Sequence, residues 1–104
     1  MADTRAIIAE VGVSSTPSIA SAATALKANA ARGSFLIQNL GTNPLFVRFG
    51  SSASTTVFNI VLKGGTGNDD GLGGSYEQSN GVVYTGIITI AGTNPRYVAT
   101  EMTK

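Results

Sequence analysis

From Arg5 to Val13 the chain alternates, with Ile7, Ala9, Val11 and Val13 on one side and Ile8, Glu10 and Gly12 on the other. A two-residue period is that of a half-buried strand, so this stretch is predicted to be a strand or an extended arm. From Ser14 to Ala31 two rules compete. Thr16 before Pro17 has the form of a helix start, Ile19, Ala22, Ala23, Leu26 and Ala30 keep helical spacing, and Gly33 stands where a helix would be capped. The serine and threonine content and a stripe made mostly of alanine, with little area to bury, favour extended chain. Helix and strand both stay open for residues 18–31.

Beyond Gly33 the pattern is β throughout. Ser34 to Leu40 and Leu45 to Phe49 are short runs rich in branched and aromatic residues, joined by Gly41-Thr42-Asn43-Pro44. They are predicted to form a hairpin. Thr56 to Lys63 sets Val57, Asn59 and Val61 against Phe58, Ile60 and Leu62, apolar on nearly both faces, as in a central strand. A glycine-rich loop follows from Gly64 to Gly74. Ser75 to Gln78 and Val82 to Thr85 flank Ser79-Asn80-Gly81, in which Asn-Gly suits a tight hairpin turn. Gly86 to Ala91 and Arg96 to Thr100 form a last predicted hairpin about Gly92-Thr93-Asn94-Pro95, which repeats the earlier Gly-Thr-Asn-Pro. Short strands at roughly 8 to 12 residue spacing, with no crossover helix, predict an all-β fold. The expected architecture is an antiparallel β-sandwich or barrel, jelly-roll-like or Greek-key-like, with residues 1–16 as an extended N-terminal arm or edge strand and 17–104 as the single β domain.

Composition narrows the chemistry. The 104 residues are 42% apolar and 12% charged, with a net charge of +1. So small a chain has one core and gains from partner subunits. Its neutrality gives no field to concentrate it on nucleic acid or an anionic bilayer. Without cysteine or histidine there are no thiolate nucleophiles, no Ser–His–Asp or Cys–His pairs, and none of the commonest transition-metal ligands. No apolar run approaches the roughly 20 residues of a membrane span. The charges in MADTRAIIAE interrupt what would be a signal-peptide core, so the chain is expected to stay in the cytosol unless an assembly carries it out.

Each remaining candidate has a plain structural explanation. Gly64-Gly65-Thr66-Gly67-Asn68-Asp69 matches the start of the calcium-binding β-helix nonapeptide, but Gly71 stands where a large apolar residue is needed and there is a single copy. A P-loop is excluded because no lysine follows the glycines and no helix begins. Asp69 and Asp70 are adjacent, and adjacent residues in extended chain point apart, which disfavours paired acid–base work. Arg32, Arg48 and Arg96 are expected as solvated charges, rim ion pairs or subunit contacts. Phe35, Phe46, Phe49, Phe58, Tyr76, Tyr84 and Tyr97 are expected mostly in the core rather than as a stacking platform. No catalytic, cofactor or metal residues are assigned. The candidate subunit contacts are Ile7, Ile8, Val11, Val13 and Arg48, with Ile7, Val11 and Val13 apolar beyond what so small a barrel buries alone.

One resemblance rests on Asn29-Ala30-Ala31-Arg32, Phe35-Leu36-Ile37-Gln38-Asn39, Leu45-Phe46-Val47-Arg48-Phe49-Gly50, Gly81-Val82-Val83-Tyr84 and Arg96-Tyr97-Val98 before Glu101. This order resembles that of many small β-rich virion proteins of tailed bacteriophages, from Asn29 to the end of the chain. The resemblance implies a non-enzymatic capsid decoration or cement protein, made in the host cytoplasm and bound on the capsid exterior. Its implied partners are the major capsid protein and copies of itself, as a homodimer or homotrimer, without nucleic acid, membrane, cofactor or small-molecule substrate. It also favours extended chain for residues 18–31. A head-to-tail or tail-fibre component and a carbohydrate-binding adhesion module are the alternatives.

Overall fold

The computed structural model describes residues 8–10, 23–79 and 81–103, which form strands without any helix. In chain order these are β1 (Ile8–Glu10), β2 (Ala23–Leu26), β3 (Arg32–Asn39), β4 (Leu45–Phe49), β5 (Ile60–Leu62), β6 (Ser75–Gln78), β7 (Ile88–Gly92) and β8 (Tyr97–Thr103). They make two four-stranded antiparallel sheets, ordered β1-β8-β3-β6 and β2-β7-β4-β5. The all-β prediction holds, and Ala23–Leu26 is strand rather than helix.

Alternation along the strands sets which side chains meet. Phe35 and Ile37 of β3, Tyr97 and Ala99 of β8, Leu45 and Val47 of β4, and Ile88 and Ile90 of β7 share one buried cluster with Ala25, Leu26 and Leu62. Ile37, Val47, Ile88 and Ile90 are wholly buried. Burying side chains of this size stabilises by about 1.5–3 kcal/mol each.

Strand pairing departs from the prediction at both Gly-Thr-Asn-Pro turns. β3 pairs with β8 and β6, whereas β4 pairs with β7 and β5. The Gly41–Pro44 and Gly92–Pro95 segments therefore carry the chain from one sheet to the other, and neither closes a hairpin. Folding the chain over at these points sets the apolar faces of β3 and β8 against those of β4 and β7, which a flat hairpin would leave side by side. The lysine and glycine loop between β5 and β6 makes a third such corner. Equivalent positions in the two sheets are thus filled by β1 and β2, β8 and β7, β3 and β4, and β6 and β5.

Two predicted strands are shorter or missing. Thr56 to Lys63 is not a central strand. Only Ile60–Leu62 is extended, at the edge of its sheet, because the Ser54 Oγ accepts hydrogen bonds from the Thr56 and Val57 amides and winds residues 54–57 into a turn. Val82 to Thr85 does not pair with β6. Its Tyr84 amide donates to the Gln78 side chain, and the Tyr84 carbonyl is taken by Arg32.

Candidate functional site

The arginines of the sequence part company in the structure. Arg32, expected as a solvated or rim charge, is fully buried at the start of β3. Its Nε donates to Glu101 Oε1 at 2.7 Å, Nη1 to the carbonyls of Tyr84 (2.8 Å) and Gly86 (3.1 Å), and Nη2 to the carbonyl of Lys27 (2.7 Å). The guanidinium lies 5.7 Å from the Phe35 ring centroid. Asn29 Nδ2 donates to the other Glu101 oxygen at 3.1 Å, and the Asn29 carbonyl accepts from the Arg32 amide at 3.0 Å. Asn29-x-x-Arg32 and Glu101 are therefore one clamp that ties the loops after β2 and β6 to the end of β8. Burial is tolerated because the charge is paired and hydrogen-bonded.

Asn39 performs the same service at the opposite end of β3. Its Nδ2 reaches the carbonyls of Asn43 (2.8 Å), Leu62 (3.0 Å) and Lys63 (3.1 Å), and its Oδ1 accepts from the Gly41 amide at 2.9 Å. The three sheet-crossing corners stack around it. Asn43 Nδ2 donates to the Thr93 carbonyl, joining the two repeated turns, and the amides of Gly65 and Asp69 donate to the carbonyls of Gly41 and Leu40.

This stacking accounts for the glycine-rich loop. A Cβ on Gly64 would strike the Thr42 carbonyl, and one on Gly73 the Asn39 carbonyl. Glycine allows the backbones to touch. Asp69 and Asp70 lie in a turn rather than in extended chain, Asp69 at a φ of 60°, and take different partners. Asp69 binds Arg96 through both oxygens, at 2.7 and 2.8 Å, and that hydrogen-bonded guanidinium lowers its pKa. Asp70 accepts from the amides of Leu72, Gly67 and Thr66, which lowers its pKa in the same direction. Among the described residues no three acidic side chains gather into a metal-binding group.

The hydrogen bonds to ionised Asp69 and Asp70 make this loop sensitive to acid. Both folded pKa values lie below the ordinary 3.8, so this contribution is present above that value and is lost as pH falls below it. Protection of the Thr66, Gly67 and Leu72 amides, their exchange relative to an unstructured chain at the same pH, is expected to fall as Asp70 is protonated below about pH 3.8, and Asp70→Ala should lower that protection at pH 7. Unchanged protection in the variant would show that another group holds the loop.

Most aromatic rings serve the interior. Phe49 packs against Phe35, Tyr76 and Tyr84 with centroids 5.5 to 6.1 Å apart, and Tyr97 is buried. Phe46 and Phe58 instead pair edge-on at 5.0 Å on the outer side of the second sheet, each incompletely covered. Of the predicted subunit contacts, Ile7, Val11 and Val13 lie outside the described residues, and Ile8 pairs with Thr103 in the edge strand β1. Arg48 stands on β4 two residues beyond Phe46, and its buried Nε has no hydrogen-bond partner. Sequence reasoning missed the roles of Asn39 and Glu101, for which the only signal was an uncharged amide and a lone acid in β-rich surroundings. Comparison with family models, with curated proteins and with solved structures finds no match.

Proposed function

We propose that this protein is a non-enzymatic structural component of a tailed-phage virion, decorating the capsid and cementing neighbouring capsid subunits. Its fold is read as a jelly-roll-like sandwich, in which paired segments cross together from one sheet to the other, with residues 1–16 as an arm. The observation that carries the reading is the division of labour among side chains. The polar groups that stand out in the sequence, Asn29, Arg32, Asn39 and Glu101, are spent on internal clamps, while large apolar side chains stay exposed on both outer faces. Exposed apolar area rimmed by polar residues suits protein contact. The order of motifs from Asn29 to Glu101 supplies the phage setting. A cement protein works through modest contacts repeated over a symmetric lattice, where avidity replaces single-site affinity.

Particles assembled without the protein are expected to form but to release DNA at a lower temperature than complete ones, since a ligand of the mature shell stabilises it by linkage. Adding the purified chain back should restore the release temperature. Equal robustness with defective tails or fibres would move the protein to the tail, and glycan binding in place of shell binding would make it an adhesion module.

A further inference from the structure

Two sheets packed face to face ordinarily turn polar side chains to water on their outer sides. Here both outer faces carry exposed apolar side chains. On the β1-β8-β3-β6 sheet, Leu36 and Met102 are each 41% exposed. Leu36 stands across from Thr100 on β8 and Glu77 on β6, and Ser34 across from Met102. Together with Phe35 these residues line a shallow groove whose one ionic group is Glu77.

The other sheet presents the counterpart. Val57, Phe58 and Val61 are 43%, 39% and 44% exposed, and Phe46 lies between Val61 and Ala91 in the ladder with Phe58 against its ring. From Phe49 to Leu62 the chain carries no charge at all. The cations beside the patch are Arg48 on β4, two residues beyond Phe46, and exposed Lys63, two residues beyond Val61. Edge strands such as β5 are usually guarded by charge, and the three residues of this one carry none, the nearest being Lys63 at its end.

We propose that the occupant of the groove is a second copy of this chain, docked head to tail so that the Phe46, Phe58 and Val61 patch of one copy covers Leu36 and Met102 of the next. The charges decide the pairing. Joining two groove faces would oppose Glu77 to Glu77, and joining two aromatic patches would oppose Arg48 to Arg48. Groove against patch brings the Glu77 carboxylate toward the cationic side of the patch, where Arg48 is half-buried and Lys63 exposed. A contact between different surfaces is heterologous, and repeats into a ring or a filament. The inference goes beyond capsid binding and stands or fails independently of it, because self-association is read on the purified chain and capsid binding on particles.

Sedimentation of the 10.6 kDa chain over micromolar to millimolar concentrations should show association beyond the monomer. Leu36→Glu, which spoils the groove, and Val61→Glu, which spoils the patch, should each stay monomeric while retaining the wild-type β spectrum. Mixed in equal amounts, they should form a one-to-one dimer, since each contributes its intact surface. Met102→Glu and Phe58→Ser provide a second variant for each face should either of the first fail to fold. Glu77→Arg should weaken association about tenfold, and Arg48→Glu in the same chain should restore it. A wild-type chain that stays monomeric at millimolar concentration overturns the proposal. So does either variant that still self-associates as the wild type does, because a symmetric contact through its intact face behaves that way, and so does a mixture that stays monomeric while the wild type associates.

Discussion

Arg32→Met is expected to cost about 3–5 kcal/mol of unfolding free energy, the range for removing one partner of a buried ion pair. Methionine fills similar volume, so cavity formation is a minor part of the loss. What remains is a Glu101 carboxylate without its cation and the carbonyls of Lys27, Tyr84 and Gly86 without their donor. For a domain of this size the melting temperature should fall by roughly 12 °C or more. Arg32→Met combined with Glu101→Gln should recover part of the loss by neutralising the orphaned acid. Urea unfolding of the three proteins measures each quantity. A single-variant loss below about 1 kcal/mol would mean that water replaces the guanidinium and that the pair belongs to the surface class.

Asn39→Ala is expected to cost about 2–3 kcal/mol, because the Gly41 amide and the carbonyls of Asn43, Leu62 and Lys63 lose a partner where water has little access. Asn39→Asp tests the polarity of the same site without changing its shape. At neutral pH its carboxylate would face three carbonyl oxygens, so it should be more damaging than alanine. Burial among acceptors favours the protonated form, which raises the folded pKa of the introduced group. Its penalty relative to wild type is therefore full at neutral pH and shrinks as pH falls toward the ordinary carboxylate range of about 4. Denaturant midpoints for both proteins between about pH 4 and pH 7 would show the gap closing. A gap independent of pH would place the carboxylate in water and remove Asn39 from the centre of the corner stack.

These two residues also mark how far the sequence can be read. Arg32 and Asn39 bound one strand, and the strand itself was legible from Ser34, Phe35, Leu36 and Ile37 alone. Their roles were not. Arg32 reaches Glu101 across 69 positions of sequence, and Asn39 reaches Leu62 across 23. Nothing local distinguishes an arginine that will be buried from one that will be solvated. Arg48 and Arg96 occupy similar surroundings in the sequence, yet Arg96 takes Asp69 as its partner and Arg48 borders an apolar patch.

The local sequence alone specified that the described residues are all-β, through short runs of branched and aromatic residues bounded by turn signals. It also placed the turns at Gly41–Pro44 and Gly92–Pro95, since glycine and proline act on their own backbone. The tertiary structure decided what those turns connect. A strand's alternation says which face is apolar but not which neighbour takes its hydrogen bonds, and that choice depends on burying two sheets against each other. Packing likewise turned the apolar run from Thr56 to Lys63 into a turn and a short edge strand, leaving Val57, Phe58 and Val61 at the surface. Their exposure depends on where the inner places are already filled by Ile88, Ile90 and Val47, a competition between distant segments that only the folded chain resolves.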